Sequence, residues 1–254
     1  MKRCFGIVFP SAKPDDEMVK RVTLDLEGRG FKVKIGEWGD DEVRAKNFIE
    51  MWCDPEVDVV WAGRGGYGAM RILPLLDYEA IKANPKPFVG MSDITALHLA
   101  IHKETGLQTF LGPMIETYLN SSFARDHFFE ALSQGVIDGD EIITGGNLAL
   151  IAATIGTQWE IETKNKTLLL EDVAEEAYRI DRMLCQLKLS GKLDGLTGVI
   201  LASWARCSGN IEKVFDDYFS DVPYPVIRGF PSGHIDEQIT IPLNCPTQIH
   251  INVY

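Results

Sequence analysis

The chain has 254 residues, 45% of them hydrophobic, and a net charge of -12. That is enough apolar material for one large domain or two modest ones. The acidic balance, with no Lys/Arg cluster, argues against a nucleic-acid binder, and no apolar stretch reaches the ~18 residues of a membrane span.

The first half alternates two periodicities. "FGIVFP" predicts a buried strand. "DDEMVKRVTLDLEGRG" predicts a helix with Met18, Val22 and Leu26 on one face. "FKVKIG" alternates Phe31, Val33 and Ile35 as a strand does, and "DDEVRAKNFIEMW" opens a helix with acidic residues, which its dipole favours. "VDVVWAG" predicts a strand, "YGAMRILPLL" a helix, "PFVGM" a strand, "DITALHLAIHKETG" a helix stopped by Gly106, and "QTFLG" a fifth strand. Such alternation predicts a Rossmann-like, mainly parallel sheet. "SQGVIDGDEIITGG" is expected to be a linker, dividing the chain into an α/β domain, 1–138, and a second domain, 139–254. In the second domain "NLALIAATIG", "AYRIDRMLCQLKLSG" and "NIEKVFDDYF" predict helices. "TLLLED", "TGVILASW", "PVIRGF", "QITIPL" and "TQIHINVY" predict strands. The last three follow one another without helices, so a mixed α/β domain with a partly barrel-like sheet is expected.

Four stretches carry possible chemistry. Gly63, Gly65 and Gly68 have the spacing of a dinucleotide-binding turn between a strand and a helix, but they follow the third strand and lack a clear ribose-binding acid. A plain tight turn fits equally. In "FVGMSDITALH", Ser92 stands on a strand-to-helix turn, as a nucleophile would, or Ser92 or Asp93 caps the helix. Glu171 and Asp172 end a strand, facing a crevice or joining Glu175 and Glu176 in a solvated acidic turn with Arg179 and Arg182 as partners. His234 occupies a rigid loop between Gly229, Pro231 and Gly233, where catalytic side chains are commonly placed. A serine, a carboxylate and a histidine supply a nucleophile, an orienting acid and a base. No metal-ligand spacing occurs, so neither metal nor cofactor is expected. No export signal is expected in the amino-terminal stretch, whose apolar run is broken by Gly6 and Pro10, and five scattered cysteines suggest reduced thiols in the cytoplasm.

Taken together, "RAKNFIEMWCDPEVDVVWAGRGGYGAMRILPLLDY", "KPFVGMSDITALHLAI", "GPM", "GGNLALIAATIGT", "LLLEDVAEEAYRIDRMLCQL" and "GFPSGH…ITIPL" resemble the LD-carboxypeptidase and microcin-immunity family of serine peptidases, in family order. The resemblance implies a Ser92, Glu171, His234 triad and an oxyanion hole from the backbone N–H groups of Asp93, Gly65 and Gly66. It implies removal of terminal D-alanine from murein tetrapeptides in the cytoplasm, or hydrolysis of peptide–nucleotide antibiotics, and a homodimer. The intact triad residues speak against a catalytically silent binding protein. A free substrate carboxylate would call for an arginine, with Arg64 and Arg182 as candidates. Two positions depart from the family pattern: Leu111 replaces a histidine before "GPM", and Asn244 replaces a glycine. The segment between Ser92 and Glu171 is also short for the family.

Overall fold

The computed structural model describes residues 3–134 and 140–247. The first half runs β1 (Cys4–Val8), α1 (Asp16–Gly28), β2 (Lys32–Ile35), α2 (Asp41–Cys53), β3 (Val59–Ala62) and α3 (Ala69–Ile72). α3 tightens into a 3₁₀ turn at Leu73–Leu75, where Pro74 removes a helical N–H donor. Then come α4 (Tyr78–Ala83), β4 (Phe88–Gly90), a 3₁₀ turn at Ser92–Ile94, α5 (Thr95–Thr105), β5 (Thr109–Leu111), α6 (Ile115–Asn120) and α7 (Ser122–Gln134). The second half runs β6 (Glu141–Asn147), α8 (Leu148–Thr154), β7 (Thr167–Val173), α9 (Ala177–Leu189), β8 (Gly198–Ala205), α10 (Ile211–Phe219), β9 (Val226–Arg228), β10 (Ile241–Leu243) and β11 (Pro246–Thr247). Asp15, Asp40 and Asp77 start α1, α2 and α4 by accepting from the N–H groups of Met18, Val43 and Ala80. Each such cap is worth about 1 kcal/mol.

Two sheets result. The first has the order β10-β5-β4-β3-β1-β2, parallel except for β10. Its winding reverses between β1 and β3, and in such sheets ligands bind beyond the carboxyl ends of the strands at that reversal. The second has the order β11-β6-β7-β8-β9, parallel except for β11. The last three predicted strands take separate places in these two sheets. β9 and β11 hold opposite edges of the second sheet, while β10 crosses back to pair with β5 of the first. The strand expected over 247–254 is described only at Thr247; residues 248–254 lie outside the described residues.

The stretch expected to be a linker carries β6 from Glu141 onward, with residues 135–139 outside the description. Its glycines serve close packing: a methyl on Gly145 would lie 2.0 Å from the Leu169 carbonyl oxygen of β7.

α5 lies between the sheets, buried from Thr95 through Ile101. One continuous core runs from Phe48 and Trp52 of α2, through Leu97 and Ile101 of α5, to Ile143, Leu169 and Ile200 of the second sheet. The two halves thus share an apolar cluster.

Candidate active site

β4 ends at Gly90, and the chain turns sharply into the 3₁₀ turn that leads α5. Ser92 sits on this turn with φ 62°, a left-handed conformation that a side chain rarely adopts. Strain of this kind costs about 1–3 kcal/mol and persists only where neighbours impose it. Several do. His98, fully buried, bonds through Nε2 to the Gly90 carbonyl at 2.9 Å, bracing the strand end. Burial pushes this imidazole down to about 4, so it stays neutral and the nitrogen facing the carbonyl carries the proton. The Asp93 carboxylate, itself buried, accepts from Ser11 Oγ at 2.5 Å and from the Ala69 N–H at 2.8 Å. It thereby ties the nucleophile turn to the loop after β1 and to the helix after β3. Ala12 N–H donates to the Gly65 carbonyl at 3.1 Å, and Trp38 Nε1 donates to the Ser11 carbonyl at 2.9 Å. The buried guanidinium of Arg44 donates to the Pro10 carbonyl.

The structure brings Ser92, His234 and Glu171 together from residues far apart in the chain. Glu171 Oε2 faces His234 Nδ1 at 2.7 Å, and His234 Nε2 faces Ser92 Oγ at 3.1 Å. Glu171 is fully buried, whereas the His234 side chain keeps 21% exposure. The network assigns the tautomer: Nδ1–H donates to the carboxylate, and bare Nε2 accepts from the serine hydroxyl. A serine so placed can lose its proton to imidazole, while the buried carboxylate holds the ring and balances its positive charge.

Gly65 shows why glycine is needed beside this serine. A methyl there would lie 2.9 Å from Ser92 Cβ and 3.1 Å from Ser92 Oγ. Its carbon would also lie 3.6 Å from the Asp93 nitrogen, so the Gly65 backbone and that N–H stand together next to the nucleophile. The N–H groups of Gly65 and Gly66 donate to no other group among the described residues. Asp93 is the second residue of the 3₁₀ turn Ser92–Ile94, where N–H groups lack a helical partner.

The two candidate arginines differ. Arg64 is exposed between Gly63 and Gly65, with no ion-pair partner among the described residues. Arg182 lies on the exposed face of α9, with its guanidinium over the Tyr178 ring at 5.3 Å, in a groove lined by Asp181, Cys185 and Leu189 and by none of the three site residues. Of the acidic run, Glu175 pairs with Arg179 at 3.3 Å, as a solvated turn would. Asp172 does not join it. It is buried, accepting from Asn147 Nδ2 at 2.9 Å and from the Ala149 N–H at 3.0 Å, and desolvation pushes its carboxyl up to about 6. Asn147 N–H donates in turn to Thr95 Oγ1, linking the Glu171 strand to the Ser92 helix.

Sequence reasoning missed Ser11, the side-chain role of Asp93, and the Asn147–Asp172 link. The last two were hidden because residues read as helix caps or acidic turns look alike before the fold is known. Ser11 carried one signal: it follows the first strand of a doubly wound pattern, at the edge where sites form.

The arrangement of a serine, an imidazole and a buried carboxylate is one that a serine peptidase would use. Comparison with known proteins then places the chain in a family. Residues 5–112 match the LD-carboxypeptidase N-terminal domain, and residues 141–249 match the LD-carboxypeptidase C-terminal domain. A probable murein peptide carboxypeptidase of Bacillus subtilis is 35% identical over 94% of this chain and 86% of its own length. The microcin C7 self-immunity protein MccF of Escherichia coli is 26% identical over 86% and 81%. A crystal structure of muramoyltetrapeptide carboxypeptidase from Oxalobacter formigenes superposes with a TM-score of 0.86 at 29% identity, covering 94% of this chain and 92% of that one. The chain belongs to the LD-carboxypeptidase family and is a serine carboxypeptidase.

Proposed function

We propose that the protein removes the terminal D-alanine from murein tetrapeptides through a Ser92–His234–Glu171 triad. The observation that carries this reading is the continuous pair of short contacts from Glu171 through His234 to a strained Ser92. His234 takes the serine proton as Oγ attacks the carbonyl preceding D-alanine. The N–H groups of Asp93, Gly65 and Gly66 receive the developing oxyanion. His234 then protonates the departing amine, and water attacks the acyl-enzyme by the same route in reverse. General-base help contributes roughly 10²–10⁴-fold, and each oxyanion donor about 10²–10³-fold.

Arg64 suits the substrate carboxylate better than Arg182, because it adjoins Gly65 and is exposed without an ion-pair partner among the described residues. The five cysteines are all unpaired, which fits action in a reducing cytoplasm. A homodimer belongs to the same reading and rests on family resemblance.

The test is mass spectrometry of a murein tetrapeptide before and after incubation with the protein. Conversion to the tripeptide by the wild type and not by Ser92→Ala is expected. A second reading, an amidase acting on peptide–nucleotide conjugates, is favoured by the likeness to the self-immunity protein. A tetrapeptide amidated at its end separates the two. If it is cleaved as fast as the free acid, or if an aminoacyl-adenylate amide is cleaved faster, the assignment moves to the amidase.

A further inference from the structure

β7 and β8 fall out of register beside Glu171. Leu170 pairs with Leu201, but Asp172 pairs with Trp204, so Glu171 stands opposite two residues, Ala202 and Ser203. This is a β-bulge, a feature that re-aims side chains and recurs next to active sites. A methyl placed on Gly233 would lie 2.5 Å from Ser203 Oγ and 2.7 Å from Glu171 Oε2. Hydroxyl and carboxylate therefore border the same small gap, which only glycine, here at φ 97°, leaves open. Ser203 N–H also donates to the Ser232 carbonyl at 3.1 Å, fixing the bulge to the loop that bears His234.

Both groups are buried and lack hydrogen-bond completion. Among the described residues Ser203 Oγ has no hydrogen-bond partner, and neither does Glu171 Oε1, the oxygen that does not face His234. A buried carboxylate oxygen without a donor and a buried hydroxyl without an acceptor are each costly, and the two side chains border the same gap at Gly233.

We propose that Ser203 is a positioning residue of the triad, its hydroxyl serving the Glu171 carboxylate. A donor on Glu171 would hold the carboxylate plane so that Oε2 stays on His234 Nδ1. It would also spread the negative charge, so that the imidazole releases its proton to the leaving group more readily. The proposal rests on the triad reading above. The ionisable groups packed about Glu171 among the described residues are His234 and, on the next strand position, Asp172, whose carboxylate is engaged with Asn147 and Ala149.

The test needs no peptide. Labelling of Ser92 by a fluorophosphonate is followed against pH in the wild type, Ser203→Ala and Ser203→Thr, with melting temperatures measured alongside. Ser203→Ala is expected to stay folded, to label roughly 10-fold more slowly at neutral pH, and to shift the acid limb of its profile to higher pH, because an unrelieved carboxylate holds the imidazole proton longer. Ser203→Thr, which keeps the hydroxyl, is expected to restore rate and limb. Asp172 titrates in all three proteins, so a difference between them is not its own. A wild-type rate and limb in Ser203→Ala would overturn the proposal. So would a fall in melting temperature with the limb unmoved, since that is the mark of a merely structural serine. A wild type that does not label at Ser92 at all would instead overturn the triad, whatever the outcome with peptide substrates.

Discussion

In the proposed triad, Ser92, His234 and Glu171 act through one another, which sets how their losses are expected to combine. Ser92→Ala is expected to abolish turnover while the protein stays folded, because a partly exposed serine contributes little burial. Glu171→Ala and His234→Ala should each lower kcat by orders of magnitude, and adding either to Ser92→Ala should lower it little further. Additive losses in the double variants would show three independent residues. Asp172 carries a different prediction. Its carboxyl, pushed up to about 6 from an ordinary 3.8, holds a proton in the native state that the unfolded chain has already released. Stability therefore falls as pH rises through that interval and is regained on acidification. The effect is on the order of 2–3 kcal/mol. Urea midpoints of the wild type minus those of Asp172→Asn, taken from pH 4 to 7, should decline with pH. A flat difference would mean that Asp172 ionises freely.

At the scale of an element, the turn from β10 to β11 accounts for one departure from the family pattern. Asn244 takes φ 59°, its N–H donates to the Ile143 carbonyl at 2.7 Å, and its Oδ1 accepts from Lys166 Nζ at 3.3 Å. Asparagine visits this left-handed conformation more readily than most residues, so it fills a position suited to glycine. Asn244→Gly should leave stability within about 0.5 kcal/mol, whereas Asn244→Ala should lose about 1–2 kcal/mol. Equal denaturation midpoints for the two variants would count against this. The other departure, Leu111, is buried in β5 and pairs with Ile241 of β10, a packing role with no link to the triad contacts. The five strands of the first half were legible because four are short apolar runs between turn residues and β2 alternates apolar and lysine side chains. β6 was not, because Gly145 and Gly146 read as flexible when they are instead the price of close packing against β7 and Thr95. The strand-to-helix turn at Ser92 and the glycine-proline loop at His234 were legible as places, but a helix cap and an incidental histidine fitted them too, and only the family resemblance joined the two residues. The Ser203 bulge was not, because a register shift exists only between two strands.

For the molecule as a whole, the shared core predicts cooperative behaviour. Apolar side chains of α2, α5 and the second sheet form one cluster, and β10 belongs to the first sheet although it follows every helix of the second half. Calorimetry should therefore show a single unfolding transition, with van't Hoff and calorimetric enthalpies in agreement. Two resolved transitions would mean that the halves fold independently despite their common core.

The return of β10 to β5 also has a consequence in time. A ribosome delivers the chain from its amino terminus, so Ser92 and the edge of β5 emerge long before Ile241. The long loop holding His234 lies between β9 and β10 and is anchored at both ends only once Ile241–Leu243 has docked. Nascent chains and products cut short before residue 241 should consequently carry a serine without an aligned base. Such products, purified and compared with the full chain, should neither label at Ser92 nor hydrolyse substrate. An enzyme built in this order would acquire its hydrolytic power only after Ile241–Leu243 has been made and has docked on β5.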